Sequence, residues 1–346
     1  MNPHTKLIST SSLILGTTIT ISSSHWMMAW IGLELNTLAI IPLISKSHHP
    51  RAIEAAIKYF LVQATASALL LFSSMTNAWA TGQWDLTQLT HPTSSLLLTV
   101  AIAMKLGLVP FHFWFPEVLQ GSSLTTALLL STMMKFPPTT LLLLTSHTLN
   151  PMLLTTMAMA SVALGGWMGL NQTQIRKIMA FSSIAHLGWM TAIIAYNPKL
   201  ALLTFYLYTL TTTTVFLTLN STKALKLVTM MMSWTKAPTL NATLMLVLLS
   251  LAGLPPLTGF LPKWLIIQEL TKQEMTSMAT IIATLSLLSL FFYLRLAYHS
   301  TVTLPPNSTN YMKQWHFTKT TSTPTATLAT LSTLILPLAP LIPTTI

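Results

Sequence analysis

The chain has 346 residues, 52% hydrophobic and only 7% charged, with a mean hydropathy of +0.63. A soluble domain carries about 25% charged residues, so this chain cannot coat a water-facing surface of its size and belongs in lipid. Its 17 Lys and Arg against 6 Asp and Glu give a net charge of +11, but the basic residues fall in short loops between apolar runs. That scatter speaks against a nucleic-acid stripe, and the lack of cysteine excludes disulfides, thiolate zinc sites and iron–sulfur clusters held by this chain.

A helix crossing the roughly 30 Å hydrocarbon layer needs about 20 apolar residues. About eleven such runs follow in order, at 3–22, 25–44, 55–78, 95–115, 122–145, 150–170, 175–195, 200–220, 239–268, 276–298 and 323–343. They are long and continuous, unlike the short alternating strands of a membrane barrel. The N-terminus has no Arg-rich transit region and reads as the start of the first span. Two polar stretches, 79–94 and 299–322, read as surface connections and hold Gln83 and Asp85, and Asn307 and Lys313.

Alternating the spans tests the count. The N-terminal side receives Lys6, Lys46, Arg51, Lys58, Arg176, Lys177, Lys223, Lys226, Lys236, Arg295, Lys313 and Lys319. The opposite side receives Lys199 and Lys272, and three lysines remain inside spans. Such asymmetry is the positive-inside pattern. It places the N-terminus on the cytoplasm-equivalent side and the C-terminus on the other.

The residues inside the spans carry the functional signal. Glu34 lies in WMMAWIGLELNTLAIIPL, Lys105 in LLLTVAIAMKLGLVPFHFW, Lys135 in LLLSTMMKFPPTTLLLL and Lys263 in LAGLPPLTGFLPKWLII. A charge at bilayer centre costs from about 2.5 kcal/mol upward, so such residues face the bundle interior or water. A proton or ion pathway accounts for the set; a structural ion pair or a snorkelling lysine is the alternative.

Prolines stand beside each lysine. A proline inside a helix loses its own hydrogen bond and clashes with the carbonyl four residues back. Pro137 and Pro138 are thus expected to free the carbonyls of Met133 and Met134, and Pro110 that of Leu106. Pro255, Pro256 and Pro262 break the span of Lys263. The interruptions GLVPFHFWFP and GLPPLTGFLP occupy the fourth place in two successive sets of five spans. An odd number of spans inverts the second set, and paired breaks in inverted halves mark a transporter-like architecture.

The fold expected is an all-α integral membrane bundle of about eleven helices. It comprises a first five-helix unit at 1–148, a second at 149–299, a polar connection at 300–322 and a last helix at 323–346. His186, in SSIAHLGWM, and His112, inside the first break, add secondary candidates, because histidine titrates near neutral pH and relays protons. A hydrogen-bonded structural role is the alternative for both. The run TLTTTT at 209–214 is read as structural. No Glu-x-x-His pair supplies a di-metal site, and no glycine-rich phosphate loop supports nucleotide binding.

Four segments taken together, WIGLELNTLAIIPL, MKLGLVPFHFWFPEV, SSIAHLGWM and GLPPLTGFLPKW, resemble the antiporter-like membrane subunits of respiratory complex I. The likeness covers nearly the whole chain. Its start, MNPHTKLI, and its length resemble the vertebrate mitochondrial branch of that family. The resemblance implies proton pumping driven by redox chemistry elsewhere, with NADH, flavin, iron–sulfur clusters and ubiquinone in other subunits and no cofactor or metal here. It implies that Glu34 partners Lys105 and that Lys135 links to Lys263, a position that is Glu in some sister subunits. Partners are then neighbouring membrane-arm subunits, accessory subunits and phospholipid, cardiolipin among them, in the mitochondrial inner membrane with the N-terminus facing the matrix and the C-terminus the intermembrane space. Bacterial members carry additional N-terminal spans, so a flank of the first unit needs a cover.

At an effective dielectric of about 20 and a spacing of about 4 Å, a Glu34–Lys105 pair is worth about 4 kcal/mol. A self-contained cation/proton antiporter would use the same charges, with Glu34 the intramembrane acid; exchange of Na⁺ for H⁺ by the purified chain would reveal it. An inert membrane spacer would lose assembly but not pumping on neutral substitution.

Overall fold

A computed structural model describes residues 3–47, 49–233, 237–302 and 323–338. Among them the chain is helical, with two isolated β-bridges. The helices are α1 (Pro3–Ser22), α2 (Trp26–Ile44), α3 (Pro50–Thr81), α4 (Pro92–Leu106), α5 (Trp114–Gly121), α6 (Leu124–Ser131) and α7 (Phe136–Leu144). There follow α8 (Pro151–Gly169), α9 (Ile175–Ile194), α10 (Pro198–Thr222), α11 (Leu227–Ser233), α12 (Pro238–Ala252), α13 (Phe260–Lys272), α14 (Thr276–Val302) and α15 (Thr323–Leu334). Most of the polar connection at 300–322, with Asn307, Lys313 and Lys319, lies outside the described residues, as do Lys236 and the last span beyond 338.

Among the described residues, seven helical stretches are by themselves long and apolar enough to cross a membrane: α2, α3, α6 with α7, α8, α9, α10 and α14. The others include α1 and the two broken pairs, α4–α5 and α12–α13. The exterior suits lipid: Leu7, Ile8, Ile14 and Leu15 of α1 lie exposed, and so does Trp79 near the end of α3. Many hydroxyls are satisfied within their own helices. Thr211 and Thr212 donate to the carbonyls of Leu207 and Tyr208 one turn back, as serine and threonine do where water is absent.

Local sequence sets the ends. Pro50, Pro92 and Pro238 open their helices, where a missing N–H costs nothing. Gly107 and Gly253 close α4 and α12 in the left-handed conformation, at φ 75° and 83°. Leu106 and Ala252, the last residues of α4 and α12, stand four residues before Pro110 and Pro256, as the expected clash requires, and the glycines turn the chain there. Pro110 lies in the turn after α4, Pro255 and Pro256 lie in the turn after α12, and Pro262 lies in the first turn of α13. Pro137 and Pro138 likewise start α7, and the Met133 carbonyl accepts from Phe136 N–H instead of standing free. Hydropathy alone predicts neither α11 nor the full length of α3.

The described residues form two compact units, one within 1–161 and 194–198, the other within 162–193 and 199–338. Within the first, the turn before α2 pairs with the linker after α3. Trp26 N–H donates to the Trp84 carbonyl at 3.1 Å and Leu86 N–H to the Ser24 carbonyl at 3.0 Å. Within the second, the turn before α9 pairs in the same way with the linker after α10, through Ile175 to Leu225 at 3.2 Å and Leu227 to Thr173 at 3.3 Å. The same device recurs in each unit, so α2 and α3 correspond to α9 and α10 in the repeat.

Candidate functional site

In the first unit, α1 and α2 approach closely at small residues. A side chain on Gly32 would strike Thr20 and the Gly16 carbonyl. With its amide oriented to satisfy both groups, Asn36 donates to the Leu13 carbonyl at 2.8 Å and accepts from Thr17 N–H. This seam fixes α2 and therefore Glu34. On the other side of α2, Trp30 Nε1 donates to the Ser67 carbonyl of α3 at 3.2 Å.

The end of α4 has carbonyls that no helical N–H reaches, and side chains take them. Trp114 Nε1 donates to the Met104 carbonyl at 3.2 Å, and Gln63 Nε2 to the Lys105 carbonyl at 3.4 Å. Lys105, 6% exposed, is thus held at a helix end capped by neighbours. Lys135 sits in the single 3₁₀ turn between α6 and α7, 3% exposed, with its ammonium 4.8 Å from the centre of the Phe115 ring. That distance is a cation–π contact. Lys105 and Lys135 line one cavity of about 20 Å³, together with Asn36, Thr37, Tyr59 and Gln63. A cavity of that size, walled in part by these polar side chains, has room for a water.

Glu34 stands at the edge of this group. The direct ion pair expected between Glu34 and Lys105 is open: Glu34 Oε2 and Lys105 Nζ are both buried without a hydrogen-bond partner. His112, 2% exposed, lies in the first break against the Phe113 ring and outside the lining of the cavity.

In the second unit, Lys263 lies on α13, after the break, whereas Lys105 lies before its own. The register counterpart of Lys263, fourth residue of its helix, is Glu117 of α5. Glu117 accepts from Lys58 at 2.7 Å, and Lys58 also meets Glu54, on an exposed face. Lys263 Nζ reaches back to the Ala252 carbonyl at 2.8 Å and stands 5.9 Å from the Trp189 ring centre. Gly253 makes room for it, since a Cβ there would lie 2.9 Å from Lys263 Cδ. Lys263, His186, Tyr208, Thr211 and Ser250 line a second cavity of about 30 Å³. The His186 and Tyr208 rings lie 5.5 Å apart.

Asn36, Tyr59, Gln63 and Tyr208 join these sites without having stood out in the sequence. Tyr59 and Gln63 recur four residues apart in an apolar run, which was the available sign of a polar helix face. No group of three metal-ligating side chains occurs among the described residues.

Fold and site together define a multi-pass membrane protein of the antiporter-like class, with buried lysines set against helix breaks. Residues 23–289 match the family model described as NADH:quinone oxidoreductase/Mrp antiporter, TM, and residues 290–343 match NADH dehydrogenase subunit 2 C-terminus. The chain is 79% identical over 323 residues to NADH-ubiquinone oxidoreductase chain 2 of Struthio camelus, covering 93% of each, and 77% identical over 326 residues to that of Gallus gallus, covering 94% of each. Among solved structures it resembles a chain of respiratory complex I from Thermus thermophilus with bound Aureothin, with a TM-score of 0.84 and 26% identity over 97% of this chain and 80% of that one. A membrane-bound sulfane sulfur reductase, an archaeal respiratory membrane complex, shares the fold at a TM-score of 0.80 and 17% identity, covering 96% of this chain and 73% of that one. The chain belongs to the NADH:quinone oxidoreductase/Mrp antiporter membrane family and, within it, to the chain 2 subunits of NADH-ubiquinone oxidoreductase.

Proposed function

We propose that this chain carries protons across the mitochondrial inner membrane through Glu34, Lys105, Lys135 and Lys263, with His186 assisting at the second cavity. His112 is a lesser candidate. Redox chemistry in other subunits drives the transfer, and NADH, flavin, iron–sulfur clusters and ubiquinone belong to those subunits. The observation that carries this reading is Lys105, its ammonium buried with no hydrogen bond to the chain, in the wall of a cavity that it shares with Lys135. A charge so placed is costly and marks an ion pathway.

The open Glu34–Lys105 pair supports a switch. With the pair apart, Lys105 is free to exchange its proton with the cavity. Water in the first cavity would take that proton toward Lys135. The inverted five-helix plan supports a second site of the same kind at Lys263. The basic loops support an N-terminus facing the matrix and a C-terminus facing the intermembrane space. Neighbouring membrane-arm subunits, accessory subunits and phospholipid such as cardiolipin would cover the exposed apolar flank of α1.

Lys105→Met tests the reading in the assembled complex, reconstituted in vesicles. Protons pumped per NADH oxidised should fall. An unchanged ratio in a fully assembled enzyme would remove Lys105 from the path.

A further inference from the structure

Glu34 and Lys105 do not bond to one another, and α3 packs beside both. The Trp30–Ser67 hydrogen bond sets the antiparallel register of α2 on α3. One turn on from Trp30 comes Glu34. One turn back from Ser67 comes Gln63, and one further turn back comes Tyr59. Residues four apart share a helix face, so this face of α3 passes Glu34 at the level of Gln63 and reaches Tyr59 one turn beyond. The same face meets the broken end of α4, because Gln63 donates to the Lys105 carbonyl.

Tyr59 is 1% exposed and lines the cavity with Lys105 and Lys135. Its ring packs edge-on against Trp114, with centroids 5.7 Å apart and planes at 63°. Trp114 is itself bonded to the Met104 carbonyl, beside Lys105. The phenol is therefore held by the same break that holds the lysine. A phenolic hydroxyl both donates and accepts hydrogen bonds, which neither an ammonium nor a carboxylate does.

We propose that the Tyr59 hydroxyl relays a proton between Lys105 and Glu34, so that the two exchange charge without touching. The Lys105 ammonium breaks an N–H bond and delivers that proton to Tyr59 Oη, directly or through one cavity water. Tyr59 breaks its own O–H bond in concert and delivers that proton to the Glu34 carboxylate. Lysine ends neutral, Glu34 ends as the acid, and the phenol is neutral before and after. The proposal rests on the reading of Lys105 and Glu34 as proton-carrying groups.

The test uses the complete complex in vesicles, with Tyr59→Phe and Lys105→Met side by side. Tyr59→Phe keeps the ring and its packing on Trp114. Pumping per NADH should fall to about the level of Lys105→Met, and the Glu34 carboxyl band, assigned in infrared difference spectra through Glu34→Gln, should shift. A merely structural tyrosine would leave that band in place. If Lys105→Met loses pumping while Tyr59→Phe keeps both pumping and band position, the relay by Tyr59 is wrong and the lysine reading stands. If Lys105→Met keeps pumping, the lysine reading itself fails. Should Tyr59→Phe not assemble, the wild-type complex with ring-labelled tyrosine decides instead: a tyrosine hydroxyl band that changes on energisation supports the relay, and its absence overturns it.

Discussion

Lys263 closes the second helix break on itself: its ammonium donates to the Ala252 carbonyl, the last carbonyl of α12, from the far side of the turn. One side chain thus caps a helix end across the turn. Lys263→Met leaves that carbonyl unbonded in an apolar site. We expect a loss of about 1–3 kcal/mol, the cost of an orphaned buried acceptor, visible as a lower thermal midpoint of the assembled complex. Pumping per NADH should fall as well, and the two readouts separate capping from charge.

Gly253 permits that contact. Gly253→Ala puts a Cβ against Lys263 at a positive φ and should both destabilise the break and displace the ammonium. Gly82→Ala is the control, because Gly82 has φ +73° and a Cβ there would meet nothing within 4 Å. Both variants carry the backbone cost of about 1–2 kcal/mol for an L residue in this region. Only Gly253→Ala should reduce pumping, as measured in vesicles.

Gly259 lies directly on the Ser250 carbonyl, leaving no space for a Cβ. Gly259→Ala must move the turn away from α12. An overpacking cost of about 1–3 kcal/mol follows, and the yield of assembled complex measures it.

Thr258 donates its hydroxyl to the Ser332 carbonyl and so ties the second break to α15. Thr258→Val keeps the shape and removes the donor. Hydrogen exchange across 323–334 should accelerate, reporting local opening of a helix that has lost its tether. Unchanged exchange would show that apolar packing alone holds α15.

Asn36 binds the backbone of α1 and also lines the first cavity. Asn36→Leu should weaken the α1–α2 seam by about 1 kcal/mol, the scale of interhelical side-chain hydrogen bonds in membranes. Thermal unfolding of the complex measures the loss.

Much of the architecture was legible because lipid imposes it. Each backbone group in a membrane must be satisfied internally, so apolar runs of about 20 residues become helices. Glu34, Lys105, Lys135 and Lys263 stood out for the same reason, as charges where charges are expensive. The breaks were legible in position, but the glycines that close them were not. Gly107 and Gly253 end the helices, and the prolines beyond them occupy turns or the first turns of new helices.

The helical membrane fold, the two broken spans and the charged residues within them are readable along the chain, because hydropathy and helix-ending chemistry are local. Which groups share a space is a matter of tertiary packing. It brought Tyr59 and Gln63 from α3 to the end of α4, opened the Glu34–Lys105 pair, set Lys135 over the Phe115 ring and turned Lys263 back onto Ala252. Those relations depend on helix register and on which carbonyls a break leaves free, and both are fixed by packing between segments far apart in the chain.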